Sequence, residues 1–242
     1  MSIVASELKL YAAAIANDTA SNGGAISGTE IVGGVKNNIW PDVPQAERTA
    51  GSVKYRKVFI KVDNAASLAL TNARIFVETP TPGDDTIVLM AGTPTDTQAE
   101  ADDYTRFYGA GALDASISAG ASTLAVNVET GNASTGANIF RDGDLIRVSD
   151  KTTVDASSGN TEFVRLASSS AVSWNGNKAT LTLAAGVTLA NAYTASSTRV
   201  ASVLEVASIA DAQAVWQRRT VPAGASSLSG DKVIMAISGE SA

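Results

Sequence analysis

Short hydrophobic runs broken by turn residues dominate the pattern along the chain. Lys54–Val62 is rich in β-branched and aromatic residues and stops at Asp63-Asn64. Thr79–Asp85 contains two prolines, which a central strand excludes, and it precedes the continuous apolar run Thr86–Ala91. These patterns predict an all-β fold, with further strands expected at 68–70, 73–77, 214–221 and 231–237.

Between residues 109 and 203 the runs become shorter and the residues smaller. The clearest hairpin places Asn175-Gly176 between Val172–Trp174 and Ala179–Leu183, and this dipeptide favours the positive φ of a type I′ turn. About five to seven short strands are expected in this region, which is enough for a small β-domain. The other runs lie at 123–128, 145–148, 162–166 and 198–203.

These two textures predict a discontinuous β-sandwich with a small β-barrel or β-sandwich domain inserted into one of its loops. The outer domain is expected at 1–108 plus 204–242, and the inserted domain at 109–203. Helical patterns are confined to 99–107 and 207–214, where we expect short turns.

Composition narrows the chemistry that this fold can perform. The 242 residues include no cysteine and no histidine, which excludes disulfides, thiolate zinc sites and a Ser-His-Asp triad. Ala, Gly, Ser and Thr make up almost half of the chain, and such small residues bury little apolar area each. A chain of this kind gains stability by burying surface against copies of itself, so we expect an assembly without cofactor or metal.

Charge and hydropathy limit the expected partners. A formal net charge of -6 disfavours nucleic acid, whose binding depends on Lys and Arg neutralising phosphates. No run approaches the roughly 20 apolar residues of a membrane helix. Glu7 and Lys9 interrupt what would be the apolar part of a signal peptide. The sequence therefore predicts a protein made in a cytoplasm that binds neither membranes nor specific nucleic-acid sequences.

Neighbouring carboxylates are the remaining candidates for catalysis, because hydrolysis of a glycosidic bond needs only two of them. All three pairs lie beside turn residues, where Asp side chains cap backbone N–H groups. The pairs are Asp84/Asp85, Asp102/Asp103 and Asp142/Asp144. A calcium loop needs more acidic residues than Asp142-Gly-Asp144 offers. We interpret these residues as turn-forming and predict no enzymatic activity.

One strand face combines cationic and aromatic residues and is a candidate interface. By the alternation of side chains along a strand, that face carries Tyr55, Lys57, Phe59 and Lys61. It is either a solvated cationic face or a contact with an acidic neighbouring subunit.

Trp216, Arg218 and Arg219 pose a similar choice. Trp and Arg are enriched at interface hot spots, whereas the alternative is a core Trp beside arginines whose aliphatic stems are buried. Trp40 lies near the end of a Gly- and Asn-rich stretch, 17–43, which we expect to be a long loop or an extended arm that contacts a neighbour.

Three segments resemble structural proteins of tailed bacteriophages: Gly51–Asn64, Leu68–Phe76 and Val215–Gly224. In that family a K-Y/F-R-K run is followed by L-x-L-T-N-A and later by W-x-R-R-T-V-P-A-G. The inserted region looks like the small β-domains grafted onto phage head, neck and tail proteins. The resemblance implies a virion component of the neck, collar or upper tail. It also implies a ring of identical subunits that contacts other phage proteins of the head–tail connector, tail or capsid, and it supplies no catalytic residues.

Two other functions stay open at this point. A capsid decoration (cement) protein is also a β-protein rich in small residues, and it usually clamps shell subunits as a trimer. A carbohydrate-binding or adhesin module would stack sugars on exposed aromatic residues, and the aromatic content of 5% argues against it.

Overall fold

The computed structural model describes residues 2–195 and 197–241, which form an all-β fold of three antiparallel sheets. The strands are β1 Leu8–Ile15, β2 Gly23–Ile31, β3 Ser52–Val62, β4 Leu70–Thr79, β5 Thr86–Ala91, β6 Ala110–Leu113, β7 Thr123–Asn127, β8 Leu145–Ser149, β9 Thr161–Arg165, β10 Val172–Asn175, β11 Lys178–Thr182, β12 Arg199–Ser202, β13 Leu204–Ile209, β14 Ala212–Val221 and β15 Ile234–Ser241. The short helices are α1 Gln45–Ala50 and α2 Gln98–Ala101, with 3₁₀ turns at Ala5–Glu7 and Thr130–Asn132. The predicted fold class is confirmed.

The strands that flank the middle of the chain form a sandwich of two sheets. The larger sheet has the order β2-β1-β3-β14-β5, and the smaller has the order β13-β4-β15. Apolar side chains of both sheets meet in one core, whose most deeply buried β-branched members are Val58, Ile60, Ile75, Val77 and Val215. Burial of these β-branched residues between the sheets is the main source of stability in such a fold.

Strands β6–β12 form the third sheet, in the order β10-β11-β7-β6-β12-β8-β9, around a core that also includes Val88 of β5. All of them lie within 110–202. The chain enters and leaves this sheet at Gly109 and Ser202, which are hydrogen-bonded to each other. The Ser202 N–H donates to the Gly109 carbonyl, and the Gly109 N–H donates to the Ser202 hydroxyl, each at 3.0 Å. The division of the chain into two domains stays a prediction.

Aromatic and cationic side chains join the third sheet to the sandwich. The rings of Phe76 on β4 and Phe163 on β9 meet edge to face, with centroids 5.9 Å apart. The guanidinium of Arg147 lies 4.8 Å from the Phe76 ring, and that of Arg74 lies 4.5 Å from the Phe163 ring. β4 is therefore covered on both faces, which explains why Ile75, Phe76 and Val77 are all buried in succession.

Three local predictions need correction. The hairpin β10–β11 forms, but Asn175 pairs with Lys178, so Gly176 and Asn177 are the central turn residues and only Gly176 has a positive φ, of 58°. The turn is thus shifted by one residue, and the type I′ prediction is wrong. The stretch 17–43 contains β2, which pairs with β1, and the helical pattern at 207–214 lies mostly in β13 and β14. In both stretches, backbone pairing with a neighbouring strand outweighs the weak β-propensity of Gly and Ala.

Candidate assembly surface

A buried ion pair connects the central strand β3 to the loop that precedes α2. The Nζ atom of Lys57 is 2.6 Å from Oδ1 of Asp96, and the exposed fractions of the two side chains are 0% and 2%. The same ammonium donates to the backbone carbonyls of Gly24, at 2.6 Å, and Asp96, at 3.0 Å. The ammonium thus has two carbonyl acceptors and the Asp96 carboxylate as its counter-charge, so this buried charge is paired rather than isolated.

Aromatic residues complete the surroundings of Asp96. Its Oδ2 atom accepts hydrogen bonds from Nε1 of Trp216, at 2.8 Å, and from the hydroxyl of Tyr104, at 2.5 Å. Burial alone would raise the pKa of Asp96, but the hydrogen bonds from Lys57, Tyr104 and Trp216 outweigh burial and hold that pKa below its usual value. Burial lowers the pKa of Lys57, and the attraction of Asp96 opposes that shift. We name Tyr55, Lys57, Asp96, Tyr104 and Trp216 the Lys57 cluster.

The start of β2 and the turn before it cover this cluster. The Gly24 N–H donates to the Asp96 carbonyl at 2.9 Å, and the side-chain amide of Asn22 donates to the Tyr55 carbonyl at 2.9 Å. A Cβ atom on Gly23 would lie 2.6 Å from the Trp216 ring, and the φ of Gly23 is 107°. Only glycine fits here, because any other residue would collide with the ring and adopt a strained backbone.

The prediction of a solvated cationic face is therefore wrong for most of its members. Tyr55, Lys57 and Phe59 are 6%, 4% and 2% exposed. The Tyr55 hydroxyl donates to Asp102 at 2.7 Å, and burial together with this hydrogen bond raises the pKa of Tyr55 to about 12. Lys61 alone of the four is partly exposed, with its ammonium 5.7 Å from the Tyr11 ring. Whether this face takes part in subunit contacts is not tested by the structure, so that role stays a prediction.

The other predicted interface residues are also held by contacts within the chain. Trp216 is fully buried, which agrees with the core interpretation of this residue. The guanidinium of Arg218 lies 4.1 Å from the Phe107 ring. Arg219 is 3% exposed and donates to the Pro41 carbonyl at 3.0 Å.

Trp40 anchors the loop that leaves β2. Its ring lies near two guanidinium groups, 5.0 Å from that of Arg56 and 4.7 Å from that of Arg219. Its Nε1 atom donates to the side-chain carbonyl of Gln217 at 2.8 Å. From the sequence, we expected Trp40 in an arm that contacts a neighbour, whereas the structure places it against the sandwich of its own chain. The contact to a neighbour stays a prediction.

The segment between β2 and this anchor is the exposed part, and we name residues 32–38 the arm. Val32 and Val35 are 57% and 55% exposed, and they lie beside Gly33 and Gly34. On the adjoining hairpin, Ile15 and Ile26 are 42% and 38% exposed. Sequence reasoning missed these residues as contact candidates, although valines within a polar, Gly-rich loop were a readable signal.

The strand β2 lies at the edge of the larger sheet. An isolated bridge from Gly23 to Thr97 contacts its start, and within the described part of the chain no strand pairs with its outer edge. Unpaired backbone groups at such an edge are a template for association with another chain. The arm and β2 together form the candidate assembly surface.

Two of the carboxylates considered for catalysis hold turns. Asp142 accepts hydrogen bonds from the N–H groups of Ser170 and Ala171, at 2.9 and 2.8 Å. Asp84 accepts from the N–H of Ser226 at 2.7 Å. These contacts agree with the turn interpretation. Across residues 2–195 and 197–241, no cluster of three or more Asp or Glu side chains could hold a metal ion.

Comparisons of the chain with protein-family models, with curated proteins and with solved structures found no match. Neither of the helices in the described ranges is long and apolar enough to cross a membrane.

Proposed function

We propose that the chain is a non-enzymatic structural protein of a tailed-bacteriophage virion, which acts as a ring-forming component of the neck, collar or upper tail. The observation that carries the proposal is the candidate assembly surface, where an unpaired edge strand continues into an arm with two exposed valines. The motif resemblance of Gly51–Asn64 and Val215–Gly224 adds the phage context.

Ring formation gives these exposed groups a physical role. A soluble monomer gains nothing from apolar side chains in water or from an unpaired sheet edge. In a closed ring each subunit buries both contact surfaces, and closure makes many modest contacts act together. In this proposal Trp40 and Arg219 act by positioning the arm, since their contacts lie within the chain.

The test is to locate the chain in purified phage particles by electron cryomicroscopy and to measure its mass in solution. The expected result is a ring with rotational symmetry at one vertex, at the neck or upper tail. Density spread over the capsid shell as trimers would instead identify a decoration protein. Absence of the chain from purified particles would contradict the proposal altogether.

A particle-assembly assay tests the positioning residues. Arg219→Glu removes the contact with Pro41 and the stacking on Trp40, so we expect it to reduce the yield of complete particles. Lys232→Glu makes the same charge change at an exposed lysine and serves as the control. Normal particle yield from Arg219→Glu would show that the arm does not depend on this anchor.

A further inference from the structure

An apolar groove opens at the side of the sandwich, between β1, β15 and the loop 153–155 of the third sheet. It encloses about 320 Å³, which lies in the range of about 300–1,000 Å³ typical of binding pockets. Its apolar lining includes Leu8, Leu10, Ile60, Val154, Met235 and Ile237. The groove is therefore suited to aliphatic side chains.

A buried carboxylate also lines the groove. Glu78 is 6% exposed, and no hydrogen-bond donor in the described ranges reaches its Oε1 atom. A register shift puts Thr79 opposite Ile234 and Val77 opposite Met235, which leaves Glu78 as the extra residue of a β-bulge. Bulges redirect a side chain out of the regular alternation. The chain therefore directs an incompletely paired acid to an apolar site, where a cation would satisfy it.

Other charges near the groove supply that cation only in part. Lys9 lines the groove, but its ammonium is already paired with Asp63, at 3.0 Å, and Glu30, at 3.5 Å. Asp155 adds a further negative charge to the rim. Burial raises the pKa of Glu78, and the charge of Arg147 offsets only part of this shift.

The arm of the same chain carries the complementary features. Val32 and Val35 are more than half exposed, and Lys36 follows them directly. The side chains of Lys36 and Asp42 form an ion pair at 3.2 Å, but they are 79% and 71% exposed. Pairs this exposed contribute little and exchange readily for a better partner.

We propose that the arm of one subunit occupies the groove of the next subunit, with its valines against the apolar lining and the Lys36 ammonium at Glu78. The proposal rests on the proposed function, because it names the contact by which the ring would form. The arm and the groove are different surfaces, so the contact is head-to-tail. Contacts of that kind build rings when their rotation closes.

The experiment measures the dissociation constant of self-association by sedimentation velocity, with the melting temperature as a check of folding. Val35→Ser, Lys36→Ala and Glu78→Gln are each expected to weaken association roughly tenfold or more. Val53→Ser is the matched control, because Val53 is an equally exposed valine, at 52%, outside the arm. It should leave association unchanged.

A double-mutant cycle identifies direct contact between Lys36 and Glu78. The variant with both Lys36→Ala and Glu78→Gln should lose less affinity than the product of the two single losses, because either change alone already breaks the pair. Losses that simply multiply would overturn the pairing.

Three other results would also overturn the arm–groove contact. The first is a wild-type chain that stays monomeric at about 100 μM, well above the micromolar range of modest interfaces. The second is a Val35→Ser variant that associates as strongly as the wild type. The third is a set of arm substitutions that lower only the melting temperature, which would place the arm in the groove of its own chain. A ring seen in particles together with any of these results would leave the proposed function standing and remove only this contact.

Discussion

Asp96 and Glu78 are both buried carboxyl groups in the sandwich, yet their pKa values move in opposite directions. Asp96 has an ammonium, an indole N–H and a phenol as partners, and its pKa lies below the usual value. Glu78 has an Oε1 atom that no hydrogen-bond donor in the described residues reaches, and its pKa lies above the usual value. Burial acts on both groups in the same sense, so the partners account for the difference.

This difference distinguishes buried charges that stabilise the monomer from buried charges that are available for assembly. A compensated buried charge such as Lys57 holds distant segments of one chain together, because breaking the pair leaves the other charge stranded. A buried charge without such a partner lowers the stability of the isolated subunit. It is tolerated best where a neighbouring subunit supplies the opposite charge. The Lys57 cluster therefore belongs to the stability of the monomer, and Glu78 to the proposed contact between monomers.

The largest expected effect is that of Asp96→Ala, which leaves Lys57 buried without a counter-charge. The free energy of unfolding should fall by about 3–5 kcal/mol, as measured by urea denaturation. Asp63→Ala is the control, because it breaks an ion pair at the surface and should change stability little. Equal effects of the two variants would contradict the structural role of the cluster.

The cover of the cluster is tested by Gly23→Ala. A Cβ atom there collides with the Trp216 ring, so we expect a loss of about 2 kcal/mol from crowding and backbone strain. The adjacent Gly24→Ala meets open space and carries only the strain of its positive φ, of 75°. Thermal unfolding of the two variants side by side should show the larger loss for Gly23→Ala.

Buried carboxyl groups with few partners make stability depend on pH, and Asp85 is a second such group beside Glu78. It is buried, and burial together with a hydrogen bond shared with Asp231 raises its pKa to about 7. The folded state therefore holds this proton more tightly than the unfolded state does. Its contribution is fully present below about pH 4 and is lost as the pH rises to about 7.

Asp85→Asn removes this proton exchange. We expect the fall in stability between pH 4 and 7 to decrease by on the order of 1 kcal/mol, and urea titrations at several pH values measure it. Glu78→Gln should flatten the profile in the same direction, since the pKa of Glu78 is also raised. A steeper fall in either variant would show that the sign is wrong.

The smallest effect on stability is expected for Val35→Ser in the arm. Val35 is 55% exposed, so the change should stay within about 0.5 kcal/mol. Chemical denaturation at a concentration where the chain is monomeric measures it. A large loss of stability would mean that the arm packs within its own chain. The Lys57 cluster and the arm would then both stabilise the monomer, and the distinction between them would disappear.

Strands with strong local signals could be predicted from the sequence. Thr86–Ala91 matches β5 residue for residue, and the run at 54–62 lies within β3. Both contain β-branched and apolar residues that favour strands in any context. The hairpin β1–β2 was missed because β2 is rich in Gly, and because β1 is held in the sheet by its pairing with the distant strand β3.

The candidate site was harder to predict. Alternation correctly placed Tyr55, Lys57 and Phe59 on one face, but it could not reveal that the face is covered. Part of the cover is Asp96, which pairs with Lys57 across a sequence separation of 39 residues, and Tyr104, which donates to Asp96. A counter-charge that is so distant in sequence leaves no local pattern, so the sequence alone predicted that Lys57 is exposed.

The hydrogen bonds between Gly109 and Ser202 have a consequence for engineering and for evolution. A segment whose two ends meet at adjacent backbone atoms can differ in length without separating the strands on either side. The third sheet also covers one face of β4, through Phe163 and Arg147 on Phe76. A segment that took its place would therefore have to cover Phe76 as well as supply a matching pair of ends.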